Sequence, residues 1–269
     1  ARTRYMRDAL GDEGYRKEFL RHLEEVRGRG GLDIHPDIPV YRPRPMVEVS
    51  PDHRRVFRQK QNGLYYVSYR PLAGDVPLDV LRRIYDATSD MPDAEVRISP
   101  DSALYVINLD GNEAIAVEDA TSGGAETLFE TSVSCIGATV CQIGLRDSAG
   151  LLRGMVDAVR AEGLPADCLP RFRISGCVSS CGCHQVGVVG LQGASKSVGG
   201  ENVKVFNVTV NGCGLQGRER FGDLIGAVPV DRCTDMVLHL GRTVAASGRP
   251  FDDWCSDADL KEVLRDYLV

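Results

Sequence analysis

The 269-residue sequence contains no long apolar run, no lysine- or arginine-rich block and no signal-peptide-like N-terminus. No stretch approaches the roughly 20 apolar residues that a membrane-spanning helix needs. The formal charge of −6 provides no basic surface for nucleic acid. We therefore expect a soluble, cytoplasmic protein. The chain begins at Ala1 rather than at methionine, which is typical of a processed chain or a fragment.

The composition that is present is that of an ordinary globular protein, with 43% apolar and 26% charged residues. The length suffices for one large domain or two smaller ones with hydrophobic cores. Nine cysteines are an odd number, so at least one thiol has no partner within the chain. In a reducing cytosol, clustered cysteines more often bind metal or take part in redox chemistry than form disulfides.

Four of the cysteines form two close pairs. Cys135 and Cys141 have five residues between them, Cys177 and Cys181 have three, and 35 residues separate the pairs. Four thiolates from two loops suit an iron–sulfur cluster, which cysteine sulfur holds. Zinc sites more often have two to four residues between both pairs of ligands, and the five-residue gap departs from that spacing.

The other five cysteines are scattered along the chain, and we interpret them as small buried hydrophobic residues. They are Cys168, Cys183, Cys213, Cys233 and Cys255. Cys183 lies two residues after Cys181 and is an alternative ligand, although the structural interpretation is preferred.

The apolar pattern divides the chain into three predicted regions. Residues 1–54 contain a polar helix over residues 1–27, ended by Gly28–Gly31, and a proline-rich arm over Leu32–Pro51 that we expect to lie along another surface. Residues 55–125 contain strands and a helix in the order β-α-β-β, which is part of a ferredoxin-like module, followed by a connection with one short helix. The pattern of residues 126–269 predicts a mixed α/β domain, and the last helix of this domain is predicted to start at Ser256. The fold class is therefore α+β.

The cysteine spacing and its surroundings carry a resemblance to a known family. The pattern Cys-x5-Cys, followed by Ser-Gly-Cys-x3-Cys-Gly-x-His-Gln-Val-Gly-x-Val-Gly, resembles the sirohaem–[4Fe–4S] nitrite and sulfite reductases. Gln59–Gly63 and Pro71–Gly74 resemble the second ferredoxin-like half of that family. The resemblance covers roughly residues 55–269 and implies that residues 126–269 bind sirohaem and a [4Fe–4S] cluster.

The resemblance assigns a role to each cysteine of the two pairs. It implies that Cys135, Cys141 and Cys177 are cluster ligands and that Cys181 both ligates the cluster and bridges to the sirohaem iron. Ser134 and Ser179 occupy positions that contact the macrocycle in the family. The usual Cys-Pro-Asn-x-Cys is replaced here by Cys-Val-Ser-Ser-Cys, which removes a rigid proline and a potential macrocycle contact.

Two further groups of residues are candidates at the cofactor site. Sirohaem carries eight carboxylates, and Arg218 and Arg220 are candidate partners for them. Further basic candidates are Arg58, Lys60, Arg173 and Lys196. Gly176 and Gly182 flank the second pair, either because the backbone approaches a bulky cofactor closely or because a turn requires them. His184 is expected to be a structural histidine.

The resemblance covers only the second half of the family's two-part architecture, and the first half supplies the basic residues that grip the substrate. We therefore expect a partner, either a separate first-half chain or a severed N-terminal portion, and a ferredoxin or flavoprotein as electron donor. The expected activity is reduction of sulfite or nitrite. Two alternatives stay open: a non-catalytic electron-transfer or cofactor-carrying subunit with a degenerate haem site, and a relative of the cluster-containing monooxygenase-like enzymes of corrin biosynthesis.

Overall fold

The computed structural model describes residues 3–31 and 41–269, and the chain divides into two compact units, Ala1–Arg42 and Pro43–Val269. The smaller unit contains helix α1, Thr3–Gly28, which is interrupted at Gly11, where φ is 70° and ψ is 172°. The helix predicted over residues 1–27 is present as α1. Among the helices of the described residues, none has both the length and the apolar character needed to cross a membrane.

The larger unit begins with an antiparallel sheet of four strands in the order β1-β2-β4-β3. The strands are β1 Val56–Arg58, β2 Tyr65–Tyr69, β3 Glu95–Ile98 and β4 Leu104–Leu109, and the helices beside them are α2 Leu78–Thr88 and α3 Gly111–Ala120. The elements β2, α2, β3 and β4 follow the expected β-α-β-β order. Helix α3 has ten residues and starts with a capping box of Asp110 and Glu113, so most of the expected connection after β4 is helical.

This first sheet buries one face against α2 and α3, and its core includes Val67, Val106 and Val117, which are fully buried. The end of the proline-rich arm packs on the same part of the molecule. Arg44 forms an ion pair with Glu113 at 3.0 Å, and the Tyr65 hydroxyl donates a hydrogen bond to the Val47 carbonyl at 2.7 Å. Residues 43–54 therefore lie along this surface, while residues 32–40 of the arm are outside the described residues.

The second sheet has five strands in the order β5-β6-β7-β8-β9. They are β5 Val133–Ser134, β6 Phe172–Ser175, β7 Val189–Val198, β8 Glu201–Val210 and β9 Asp223–Pro229, and the helices are α4 Ser148–Glu162, α5 Cys233–Ala246, α6 Phe251–Cys255 and α7 Leu260–Leu264. Strands β5, β6 and β7 are parallel to one another, and β7, β8 and β9 are antiparallel. The main core lies between this sheet and the helices, and the buried side chains of Leu152, Phe172 and Leu240 belong to it.

The C-terminal helix corrects one prediction. The expected start at Ser256 is wrong, because α7 begins at Leu260 and Asp259 is its N-cap, accepting a hydrogen bond from the Lys261 N–H at 2.9 Å. The Ser256 hydroxyl instead donates to the Asp253 carbonyl, at the end of α6. A serine three residues before an acid resembles a capping box, but here the acid itself is the cap.

Both sheets belong to the one unit Pro43–Val269, and the division proposed at residues 125/126 remains a prediction. A carboxylate joins the two sheets. Asp101, in the β3–β4 turn, accepts a hydrogen bond from Arg70 at 2.8 Å and lies 3.4 Å from Arg171, which precedes β6. Burial alone would raise the pKa of Asp101, but hydrogen bonds from Ser99 and Arg70 and the charges of Arg70 and Arg171 lower that pKa to about 2.

Replacing Asp101 with asparagine is expected to destabilise the protein in a pH-dependent way. Because the pKa is depressed in the folded state, the stabilisation is present above the unfolded value of about 4 and is lost as pH falls toward about 2. We expect a loss of about 2 kcal/mol in the free energy of unfolding near neutral pH. Chemical denaturation of Asp101→Asn between pH 2 and 7 tests this, with the exposed Asp86→Asn as control. A difference from wild type that does not change with pH would contradict the ion-pair account.

Candidate functional site

The two cysteine pairs lie at the same edge of the second sheet. Strands β5 and β6 are adjacent and parallel, with Val133 opposite Arg173 and Ser134 opposite Ile174. Cys135 directly follows β5, and Cys177 follows β6 after one intervening glycine. The carboxyl ends of neighbouring parallel strands meet at one edge of the sheet, where α/β folds commonly bind ligands. Helix α4 is the crossover between these strands, which explains the long separation of the pairs in sequence.

All four paired cysteines line a single cavity of about 260 Å³. Cys177 is buried, Cys135 and Cys141 are half-buried, and Cys181 is exposed. None of the nine cysteines is in a disulfide. Ser134 and Ser179, the two predicted macrocycle contacts, line the same cavity. The fold therefore brings together the four paired cysteines and both predicted serine contacts.

The two cysteine loops are held against each other by their backbones. The Leu145 and Arg146 amides both donate to the Gly176 carbonyl, at 3.1 and 2.9 Å. A Cβ at Gly176 would lie 2.5 Å from the Arg146 carbonyl oxygen, and a Cβ at Gly182 would lie 2.1 Å from the Ile174 carbonyl oxygen. Neither glycine has a positive φ. Glycine is required at both positions because a neighbouring carbonyl oxygen leaves no room for a Cβ atom. A left-handed turn is not the reason.

The donor set and the size of the cavity are compatible with an iron–sulfur cluster. Four thiolates around one zinc ion, with Zn–S bonds of about 2.3 Å, would lie roughly 4 Å from one another. Among the described residues, no group of three or more His, Cys, Asp or Glu side chains converges closely enough to hold one ion. In a [4Fe–4S] cluster each cysteine binds a different iron, so the sulfurs surround a larger body. Four thiols around a cavity of about 260 Å³ fit that arrangement.

A second cavity, of about 280 Å³, adjoins the cysteine cavity, and the two share Ser102, Ser134 and Ile136. The Ser134 hydroxyl oxygen is buried and has no hydrogen-bond partner in the structure. A buried polar atom without a partner carries a free-energy cost that a ligand with a donor or acceptor would remove. Arg153, which pairs with Asp75, lines the second cavity and does not line the cysteine cavity.

The basic residues proposed from the sequence are not among those that line the cysteine cavity. Arg220 donates hydrogen bonds to the Asn211 carbonyl at 2.9 and 2.6 Å, and neither Arg218 nor Arg220 lines either cavity. Lys196 donates to the carbonyl of the terminal Val269. These residues stay predictions as sirohaem ligands.

Of the five cysteines interpreted as buried, only Cys168 and Cys233 are buried; Cys213 and Cys255 are half-buried, and the interpretation is wrong for Cys183. Burial raises the pKa of the Cys168 and Cys255 thiols, and burial with the nearby charge of Asp231 raises the pKa of Cys233 to about 12. These pKa shifts favour the protonated form of the three thiols. His184 is buried, its pKa is lowered by burial, and its Nδ1 lies 3.1 Å from the Ser175 hydroxyl. Cys183 is exposed and does not line the cysteine cavity.

Sequence reasoning missed Ser148, which lies beside the first cysteine pair, and Ser102 and Ser175, which line the cysteine cavity. Ser148, fully buried at the start of α4, has its hydroxyl 3.0 Å from the Cys135 sulfur. The signal available was its position next to Asp147, which caps α4 by accepting from the Gly150 N–H at 2.9 Å. A helix that starts shortly after the first cysteine pair places its N-terminus near those thiols.

Comparison with known proteins gives a match of fold. The chain is similar to the structure of the Mycobacterium tuberculosis NirA protein, with a TM-score of 0.65 and 23% identity over 98% of this chain. It spans about half, 49%, of that protein's length. A crystal structure of dissimilatory sulfite reductase I aligns with a TM-score of 0.40 and 15% identity, covering 50% of this chain and 34% of the other. No family model and no curated protein sequence matches the chain.

Proposed function

We propose that this chain is the cluster-bearing half of a sirohaem-dependent sulfite or nitrite reductase. The observation that carries the proposal is the cavity at the carboxyl ends of β5 and β6, which all four paired cysteines line. The fold similarity to NirA and the family-like cysteine spacing support the same assignment. When bound, sirohaem and a [4Fe–4S] cluster supply the electron-transfer chemistry of a six-electron reduction, which no side chain can perform.

We assign different roles to the four cysteines according to the solvent exposure of their side chains. Cys135, Cys141 and Cys177 are half-buried or buried, which suits ligands that anchor a cluster inside the protein. Cys181 is exposed, which suits a thiolate that also reaches a second group outside the cavity, the iron of sirohaem. Ser134 would offer its unpartnered hydroxyl to the macrocycle, because it lines both the cysteine cavity and the neighbouring one. Ser179 would contact the macrocycle from the second loop.

A partner would complete the catalytic unit. Large apolar side chains around the cysteine cavity are exposed to solvent, including Ile136 at 60%, Ile143 at 70% and Val178 at 76%. Exposed apolar groups concentrated at one place mark a surface that another group covers. The chain also spans only 49% of the NirA protein. We assign the substrate-gripping basic residues to a first-half chain or a severed N-terminal portion, and electron delivery to a ferredoxin or flavoprotein.

In a second candidate function, the chain binds the iron–sulfur cluster but not sirohaem. None of the basic residues proposed for sirohaem lines the cysteine cavity, and the second loop has Val178-Ser179 where the family has Pro-Asn. These two observations favour a non-catalytic electron-transfer or cofactor-carrying subunit with a degenerate haem site. The cysteine cavity is common to both functions.

Absorption spectroscopy separates the two functions. The chain is reconstituted anaerobically with iron, sulfide and sirohaem and then freed of unbound cofactor. A Soret band with a red-region macrocycle band supports the reductase assignment, and a broad blue-region shoulder alone supports the carrier subunit. Reduction of sulfite or nitrite by this chain without a partner would contradict the requirement for the first half.

Replacing Cys181 with serine tests the proposed bridge. We expect Cys181→Ser to lose the magnetic coupling between cluster and sirohaem, measured by Mössbauer spectroscopy of the reconstituted protein, because no thiolate would then join them. Cys183→Ser is the matched control, since Cys183 is also exposed and lies two residues away but does not line the cavity. Coupling that survives in Cys181→Ser would overturn the bridging role.

A further inference from the structure

Cys135 differs from the other three proposed ligands in its hydrogen bonds. Its sulfur accepts from the Gly176 backbone N–H at 3.1 Å and lies 3.0 Å from the Ser148 hydroxyl. Within residues 3–31 and 41–269, the sulfurs of Cys141, Cys177 and Cys181 take part in no such hydrogen bond. The hydrogen bonds to the four sulfurs are therefore concentrated on Cys135.

The proton count at Ser148 limits the hydrogen bonds that its hydroxyl can donate. The Ser148 hydroxyl has one proton and two acceptors in reach, the Cys135 carbonyl at 2.8 Å and the Cys135 sulfur at 3.0 Å. In the free thiol, the S–H can donate to the serine oxygen while the serine donates to the carbonyl. A cysteine that ligates iron has lost its proton and is only an acceptor. For Ser148 to donate a hydrogen bond to this sulfur, its hydroxyl must turn from the Cys135 carbonyl to the sulfur, where the hydrogen bond is charge-assisted.

The position of Ser148 is fixed by the fold. It is fully buried, it is the first residue of the 15-residue helix α4, and Asp147 caps that helix independently of the serine hydroxyl. The positive end of the helix dipole therefore lies on the same side of Cys135 as the hydroxyl. Donors and positive dipoles near a ligand sulfur stabilise the additional negative charge of a reduced cluster.

We propose that Ser148 is a positioning residue that, together with the Gly176 N–H, raises the reduction potential of the cluster through Cys135. This role rests on the proposed cluster at the four cysteines. Ser148 touches no substrate and supplies no electron. With a cluster bound, the hydrogen bond from Ser148 to Cys135 would stabilise the reduced form, and the chain would accept electrons from its donor more readily.

The test measures the reduction potential of the reconstituted full chain by a redox titration followed by electron paramagnetic resonance. Ser148→Ala is expected to shift the potential to more negative values while the iron content stays at the wild-type level. Ser148→Thr, which keeps a hydroxyl, is expected to have the wild-type reduction potential. Ser132→Ala is the matched control, because Ser132 is also buried and bonded to backbone, accepting from the Phe172 N–H at 2.8 Å, but contacts no cysteine sulfur.

The possible outcomes separate this inference from the function on which it rests. An unchanged potential in Ser148→Ala with a full cluster would overturn the role of Ser148 and leave the proposed function intact. Loss of the cluster in Ser148→Ala would also overturn it, since the serine would then hold the cluster rather than set its potential. A wild-type chain that binds no iron under these conditions would overturn the proposed function itself.

Discussion

Replacing Cys177 with alanine is expected to remove nearly all iron from the reconstituted chain. Cys177 is the one buried thiol among the four that line the cysteine cavity, so no water or neighbouring side chain has easy access to replace it. Alanine is preferred to serine in this variant because a serine oxygen could ligate iron. Loss of an outer-sphere partner already costs metal sites about 10–100-fold in affinity, and loss of a direct ligand should cost at least that. Iron per chain, measured by mass spectrometry, should fall from about four to below about one.

The control for this variant is Cys213→Ala, which removes a half-buried thiol outside the cavity. It is expected to keep the wild-type iron content and the wild-type visible spectrum. Retention of a full cluster by Cys177→Ala, or an equal loss of iron in both variants, would mean that the four cysteines do not form the ligand set.

Replacing Gly182 with alanine is expected to destabilise the larger unit and to impair cluster binding together. The new methyl group would lie 2.1 Å from the Ile174 carbonyl oxygen and 3.1 Å from the Ser175 hydroxyl, so the second cysteine loop must move away from β6. The Gly182 N–H would then lose its hydrogen bond to the Ser175 hydroxyl, now 3.1 Å long. Overpacking of this kind costs about 1–3 kcal/mol, which for a unit of this size corresponds to a fall in Tm of roughly 3–10 °C.

Gly154→Ala is the matched control for this substitution. Gly154 lies within α4, and a Cβ there would have no neighbour within 4 Å. Alanine is a better helix former than glycine, so this variant should be more stable than wild type by about 0.5–1 kcal/mol. Calorimetric scans of both variants measure the effect. If Gly182→Ala unfolds at the wild-type temperature and binds a full cluster, the close packing of the loop on β6 is not required.

The parts of the fold that were predictable from sequence are those with a strong local pattern. Helix α4 follows from Leu151, Leu152, Met155 and Val156, and β4 from the alternation over Leu104–Leu109. Strand β5 has only two residues, and two residues have no periodicity, so its pairing with β6 could not be inferred. That pairing places Cys135 beside Cys177. The cysteine spacing indicated that the pairs meet, but not how.

The polar end of strand β7 could not be predicted from the apolar pattern. The apolar pattern of β7 ends near Leu191, yet the strand continues to Val198 because Ser195–Val198 pair with Glu201–Lys204 in a solvent-exposed part of the β7–β8 hairpin. Hydrogen bonds without burial leave no hydrophobic signal.

Arg218 and Arg220 were chosen for their charge alone, and whether an arginine reaches a cavity depends on contacts between distant parts of the chain. Ser148 was missed for the same reason, since only the tertiary fold brings it to Cys135.

The metal and sulfide content of the anaerobically purified chain tests the central claim most directly. If Cys135, Cys141, Cys177 and Cys181 hold a [4Fe–4S] cluster, chemical analysis should give about four irons and four acid-labile sulfides per chain, with a Mössbauer spectrum typical of a cubane cluster. A chain that contains one zinc ion, no iron and no labile sulfide would contradict the account, because the cysteines would then form a structural zinc site.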